Sequence, residues 1–385
     1  MKRARGNLIP AVFTFFFLLL AFEILLRTTR TQISWSTPDP ILGWRFPPSR
    51  EYLSFSENNH AITWKTNSWG WKDKEWSLQK APGIYRIAVL GDSYVEALQV
   101  ESNRNFLSLA EAKMRAQGIQ TEWMNFGRSG FTQTEEWYVL QKDVLPFKPD
   151  LVILFFFPSN DIEDMDKATS TEYLRPFVHL SPEGKWLLDT SFCNSWEFKI
   201  KCFLQPFKDR SVLISFLIKR YNHVSRQWYA RKVNKRNQNK EGVKKIGGSL
   251  SLGTKSPAPH FEKDYDLSKQ LIKEMVRLCR SHGIRFMLVT TDTPAYLPEI
   301  EERYRKIDET FDPYFFDEDS RKFSNSLSIP YLGLQKPFRE TYFKAGLPLH
   351  WKVGSPWSYS GQGHWNYSGH EVVAENLAVY LKKLL

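Results

Sequence analysis

Residues Tyr85 to Val100 read YRIAVLGDSYVEALQV. The opening run, Tyr85 to Leu90, is apolar and stops abruptly at Gly91-Asp92-Ser93. A short apolar run bounded by turn residues predicts a strand buried on both faces. Working outward, Asn105 to Gln117 has helical periodicity with Gly118 as its stop, Thr121 to Asn125 is a second short strand, and Glu135 to Leu145 is a further helix. Pro149-Asp150 introduces LVILFFF, a continuous apolar run expected as a third buried strand. Farther on, Leu267 to His282 reads as helix, Ile284 to Thr290 (IRFMLVT) as a fourth strand, and about Ser368 to Lys383 as a closing helix. Strands alternating with helices predict a parallel sheet with helices on both faces. In such sheets ligands bind beyond the carboxyl ends of the strands.

The polar motifs fall at those ends. Gly91-Asp92-Ser93 follows the first strand, Asn125 to Gly130 (NFGRSG) the second and Pro158-Ser159-Asn160-Asp161 the third, while Gly363-His364-Trp365-Asn366 precedes the last helix. Acyl transfer needs a nucleophile, a base within hydrogen-bond reach and donors aimed at the developing oxyanion. Ser93 at a strand-to-helix turn supplies a hydroxyl and an N–H. Gly130 offers an N–H with no side chain in the way, Asn160 offers an amide, and His364 is placed to return to the serine. Each motif alone reads as ordinary turn or cap chemistry; their order along the chain carries the reading.

Together these blocks resemble the SGNH/GDSL hydrolase family, in its membrane-anchored bacterial form. GDSYVEALQV resembles its first block with Ser93 at the nucleophile position, and NFGRSG its second with Gly130 at the oxyanion glycine. PSND resembles the third with Asn160 at the oxyanion asparagine, and GHWNYSGH the last with His364 as base. NSWGWKDKEW (Asn67 to Trp76) resembles a stretch that precedes the first block in anchored members. The resemblance implies an α/β fold, a flavodoxin-like three-layer α/β/α sandwich with a parallel sheet, and hydrolysis or transfer of an O-acyl group through a Ser93 acyl-enzyme. It implies that Asp92 supports the nucleophile turn. His370 is expected as a residue of the last helix's N-terminus rather than a second base.

Two departures stand out. Pro158-Ser159 occupy a place where the family carries glycine, which predicts a differently shaped oxyanion loop. The acid expected two or three residues before the histidine is replaced by Gln362 and Gly361. Gln362 can orient the imidazole through its carbonyl oxygen but brings no charge, and neutralising a triad aspartate costs about 10⁴ in kcat. Three readings follow: a Ser93–His364 dyad, a replacement acid from elsewhere, or a degenerate site in a non-catalytic carbohydrate-binding or assembly component.

The N-terminus predicts a membrane anchor. Lys2, Arg3 and Arg5 precede an apolar run from Leu8 to Leu26 broken only by Thr14 and Glu23. As a helix it spans about 28 Å, close to the hydrocarbon thickness. With no small-residue cleavage site after the run, the expectation is an uncleaved, single-pass inner-membrane anchor with the body exported to the periplasm. The expected organisation is a cytoplasmic basic stub and transmembrane anchor over 1–30, an irregular Trp-rich segment packed on the core over 31–82, and the hydrolase domain over 83–385 with an insertion at about 163–262.

Composition excludes other classes. Of 385 residues 42% are hydrophobic and 25% charged, which suits a buried core and excludes a disordered chain or a polytopic membrane protein. The three cysteines, Cys193, Cys202 and Cys279, are too few for a disulfide framework and too scattered for zinc, with one Cys193–Cys202 bridge open in an oxidising compartment. No phosphate loop, metal-ligand cluster or repeat stands out, so neither cofactor nor metal is expected. The net charge of +11 is local: residues 1–30 hold five basic residues against one acid, and 219–255 hold eleven against one, leaving the rest mildly acidic. That pattern speaks against nucleic acid. The basic tract, after the apolar run SVLISFLI (211–218), reads as a solvated helix and loop or as a surface for anionic headgroups or an acidic polysaccharide. Aromatics make up 15% of residues and include 14 Trp. The Trp residues between Trp35 and Trp76 cover the sheet, lie near the membrane interface, or offer stacking faces for a sugar ester.

Overall fold

A computed structural model describes residues 8–29, 36–56, 60–170, 172–238, 246, 248–351 and 363–385. In chain order, α1 (Leu8–Thr28) is followed by two antiparallel hairpins, β1 (Thr37–Asp39) with β2 (Gly43–Arg45) and β3 (Glu51–Phe55) with β4 (Ala61–Lys65). Next come β5 (Tyr85–Gly91), α2 (Ser93–Glu96), α3 (Phe106–Ala116), β6 (Thr121–Gly127), α4 (Gln133–Val139), β7 (Leu151–Phe156) and α5 (Asn160–Glu163). A third hairpin, β8 (Phe177–Leu180) and β9 (Trp186–Asp189), leads to α6 (Trp196–Arg210) and α7 (Val212–Gln238). The chain ends with α8 (Pro259–Ser281), β10 (Arg285–Thr290), α9 (Pro298–Ile307), α10 (Phe315–Ser326), β11 (Tyr331–Gly333), α11 (Gln335–Ala345) and α12 (Tyr367–Leu384).

Two compact units divide these elements. The larger comprises Pro48–Ser170, Pro176–Asp189 and Arg236–Leu385. Its sheet has the order β11-β10-β7-β5-β6 with every pair parallel, the doubly wound order of flavodoxin-like folds. The order follows from the sequence, because β7 is buried along its whole length and only a central strand hides both faces. Neighbouring side chains on β7 point to opposite layers: Phe155 meets Phe106 of α3, and Phe156 meets Tyr265 of α8. Each fully buried side chain of this size stabilises by about 1.5–3 kcal/mol. This is the three-layer α/β/α arrangement expected from the sequence.

The segment before β5 is not irregular, as its sequence had implied. In β3 and β4 alternate residues point inward, with Tyr52 and Ser54 facing Ile62 and Trp64. Trp64, Trp71 and Trp76 are buried, and Trp71 and Trp76 pack on Phe126. These three rings therefore cover the protein core and offer no stacking face.

The smaller unit comprises Met1–Pro47, Thr171–Arg175 and Thr190–Lys235. Its α1 is the apolar helix expected at the N-terminus, with a mean hydropathy of 2.4 over Ile9–Thr28. Glu23 of α1 pairs with Arg27 at 2.7 Å and accepts hydrogen bonds from Ser211 Oγ (2.8 Å) and from the N–H groups of Val212 (3.1 Å) and Leu213 (2.8 Å). It thereby caps the start of α7, whose first N–H groups have no partner within their own helix. The basic tract is helical through Gln238, and its following loop lies outside the described residues. Cys193, Cys202 and Cys279 are free thiols.

Candidate active site

The turn after β5 places Ser93 at the first position of α2. Asp92 caps that helix, its Oδ1 accepting the Tyr94 N–H at 2.9 Å. Burial pushes the Asp92 carboxyl upward, against the lowering influence of the Tyr94 N–H and the nearby His364. Ser93 itself is half-buried, and its Oγ lies 2.8 Å from His364 Nε2. The Tyr94 ring lies tilted, its centroid 5.2 Å from that of the imidazole and 4.7 Å from that of Trp365. A hydroxyl and an imidazole 271 residues apart are thus brought to proton-transfer distance at the carboxyl edge of the sheet.

The other two expected residues differ from each other. Gly130 is exposed at a φ of +79°, a conformation that favours glycine, and its N–H donates to no partner among the described residues. Asn160 is engaged: its Nδ2 donates to Phe131 O at 3.0 Å and to Asp161 Oδ1 at 3.2 Å. An oxyanion contact from Asn160 requires the amide to leave one of these partners. The Pro158-Ser159 loop is braced from the insertion, where Ser249 donates its hydroxyl to Pro158 O at 2.8 Å and its N–H to Glu163 at 2.8 Å. Gln362 and Gly361 lie outside the described residues. His370 is buried in the first turn of α12, where its Nδ1 accepts the Phe106 N–H at 3.3 Å and burial pushes its pKa down to about 3.

Beneath Ser93 lies a buried network that the sequence did not reveal. Glu96, one turn after Ser93, accepts from both the N–H and the hydroxyl of Ser129, and so ties α2 to the Gly130 loop. Burial raises its pKa, while Ser129 and the charges of Arg128 and Lys72 oppose that rise. Lys72 donates to Ala97 O and Val100 O at the far end of α2, and burial lowers its pKa to about 8. Arg128 lies 4.3 Å above the Trp71 ring and donates to Gly70 O at 3.2 Å. Asp73 accepts the Asn125 N–H at 2.8 Å, with its pKa raised by burial to about 6. The NSWGWKDKEW segment thus supports the first two motif blocks from below. Gly127 is required here, since a Cβ would come within 2.5 Å of Glu96 N.

His364 is held by a second set of contacts. Its carbonyl accepts the Trp351 N–H at 2.8 Å, and Trp365 bridges His350 in antiparallel fashion. Asp292, two residues past β10, accepts the Trp365 indole N–H at 2.9 Å, while its other oxygen lies 3.3 Å from His350 Nε2. His350 also meets the Tyr296 hydroxyl at 3.2 Å. Burial drives both members of the pair toward neutrality, raising Asp292 well above the carboxylate range and lowering His350 to about 3. A Thr-Thr-Asp run at the end of a buried strand was the available signal for Asp292. Its partners Trp365 and His350 are too distant in sequence for that signal to have been read.

No metal-binding group of three or more His, Cys, Asp or Glu occurs among the described residues. No family model and no curated protein matches the chain. Among solved structures it is similar to a GDSL-like lipase from Bacteroides thetaiotaomicron VPI-5482, at 11% identity over 78% of this chain and 89% of the other, with a TM-score of 0.34. It is also similar to the acetyl xylan esterase AlAXEase, at 14% identity over 78% and 100% of the two chains, with a TM-score of 0.40. A two-domain esterase (CEX) active on acetylated mannans is 11% identical over 78% of this chain and 50% of its own, with a TM-score of 0.38. Sheet order and the helices that flank it, rather than these slight likenesses, give the chain a flavodoxin-like, doubly wound α/β/α fold.

Proposed function

We propose that this chain is a membrane-anchored serine ester hydrolase acting on O-acyl esters. The observation that carries the proposal is the 2.8 Å contact between Ser93 Oγ and His364 Nε2 at the carboxyl edge of a doubly wound sheet. In the proposed reaction His364 Nε2 takes the Ser93 proton as Oγ attacks the ester carbonyl. Ser93 N–H, Gly130 N–H and the Asn160 amide, once turned, would hold the oxyanion. The tetrahedral species collapses, the alcohol leaves with the proton from His364, and water repeats the sequence on the acyl-Ser93 ester to release the acid. Asp292 is not offered as a charged triad member. Its proposed role is to fix Trp365 and His350, and through them the backbone that carries His364.

Anchoring belongs to the same proposal. It is supported by the length and hydropathy of α1, by Lys2, Arg3 and Arg5 ahead of it, and by Glu23 being built into the cap of α7. A helix so engaged is part of the folded unit.

The test is hydrolysis of p-nitrophenyl acetate and acetate release from acetylated xylan by the detergent-purified full chain. Ser93→Ala and His364→Ala are expected to lower kcat by about 10⁴ or more without lowering Tm. Equal rates for wild type and Ser93→Ala overturn the proposal. Ser93-dependent acetate release from xylan identifies a carbohydrate ester, and acetyl transfer to an added oligosaccharide identifies a transferase.

A further inference from the structure

The smaller unit exposes apolar side chains in an order that the larger unit does not. On α6, Trp196, Ile200, Phe203 and Phe207 follow one another at spacings of four, three and four. On α7, Leu217, Tyr221, Val224 and Trp228 repeat the same spacing. All eight are between 45 and 70% exposed. At 3.6 residues per turn each set lies in one narrow stripe along its helix. Among the described residues, large exposed apolar side chains of the larger unit, such as Phe55, Ile307 and Phe343, form no such series. Scattered apolar residues need no explanation, but continuous stripes mark a surface that meets something other than water.

Two observations identify what it meets. The first is position: the corner between α6 and α7 is fastened to α1, with Arg27 donating to Arg210 O at 2.7 Å and Glu23 capping α7 at Ser211–Leu213. Glu23 lies five residues before the end of α1, about 7 Å along the helix axis. If α1 spans the bilayer, that corner sits at the boundary between headgroups and acyl chains, the depth at which interfacial helices rest. The second is charge. The sequence of α7 holds seven Lys and Arg residues and no Asp or Glu, and Arg220 and Arg231 flank its stripe. An anionic surface attracts such charges, while Trp and Tyr prefer the headgroup layer.

We propose that α6 and α7 lie on the surface of an anionic bilayer, with their Trp196–Phe207 and Leu217–Trp228 stripes seated among the headgroups. This inference rests on the anchoring proposed above. Its test uses the full chain in phosphatidylglycerol–phosphatidylcholine vesicles containing lipid brominated in its acyl chains, with tryptophan fluorescence as the readout. The α1 helix contains no Trp, so quenching reports on the body and not on the span. Trp196→Phe and Trp228→Phe are each expected to reduce the quenching. The double variant is expected to lose most of it, and wild type in phosphatidylcholine alone to show less than in the mixed vesicles.

Unchanged quenching in the double variant overturns the proposal. So does cross-linking that shows two copies joined through these stripes and separated by Phe203→Asp. Alkaline carbonate extraction of the same vesicles reads the anchor separately: release of the chain overturns the anchoring, and retention without Trp196- or Trp228-dependent quenching overturns only the seating of α6 and α7.

Discussion

The larger unit keeps Lys72, Glu96, Arg128, Asp292 and His350 out of water, whereas the smaller unit turns Trp196, Phe203 and Trp228 into it. Both arrangements run against ordinary solvation. Desolvating a charge costs several kcal/mol unless partners replace the water, and leaving a large apolar side chain exposed forgoes about 1.5–3 kcal/mol. In the larger unit the cost is reduced by pairing, Glu96 with Ser129 and Lys72 with carbonyls at the end of α2, and by neutralisation, since burial drives Asp292 and His350 toward their uncharged forms. What results is a set of fixed dipoles around Ser93 and His364, of the kind that needs no reorganisation during reaction. The stripes of the smaller unit stay largely exposed, and their compensation is expected from outside the protein.

Four experiments break or sharpen this contrast, in descending order of expected effect. His370 has a pKa lowered from 6.5 to about 3, so it stays neutral when folded and binds a proton when unfolded. Its stabilising contribution is complete above pH 6.5 and is lost as pH falls toward 3, a few kcal/mol in total. In His370→Asn, which keeps an acceptor for the Phe106 N–H but does not titrate, Tm should fall less between pH 7 and pH 4 than in wild type. An equal fall would remove the histidine from the account of acid sensitivity.

Next, Asp292→Ala should lower kcat by about 10²-fold with KM nearly unchanged, since small displacements of a catalytic group have effects of that size. Asp292→Asn, which still accepts the indole N–H, should recover much of the loss. A change in Tm alone, with kcat intact, would reduce Asp292 to a packing residue. Gly127→Ala should destabilise the larger unit by about 1–3 kcal/mol, because the added Cβ meets the Glu96 backbone rather than a side chain that can yield. Chemical denaturation measures it. Least of all, Phe203→Glu should shift stability by no more than about 0.5 kcal/mol and leave ester hydrolysis in detergent unchanged. A large loss of Tm would show that the stripe is packed against protein after all.

Legibility in the sequence followed burial. The parallel strands could be read from apolar runs such as Leu151–Phe156 because both of their faces are covered, and Ser93 and His364 from their places beside strand and helix ends. The β3–β4 hairpin was missed because inward-facing Ser54 is polar and outward-facing Phe55 is not, which blurs the period of two. Glu96 looks like a solvated charge on a helix until Ser129, Arg128 and Lys72 surround it. Asp292 acquires meaning only from Trp365, 73 residues later. The helix over residues 219–238 was legible from charge, but its apolar stripe was not, because basic residues sit between its members.

The bond between Glu23 and Leu213 also fixes an order of events during synthesis. The two residues are 190 positions apart. At about 5–20 residues per second, a ribosome takes roughly 10–40 s to travel from one to the other. Through that interval Glu23 waits beside Arg27 with no helix to cap, and the nascent chain carries an unfinished joint at the end of its first helix. Completion of α7 closes that joint: a chain that stops before residue 211 lacks the hydroxyl and the N–H groups that Glu23 accepts from.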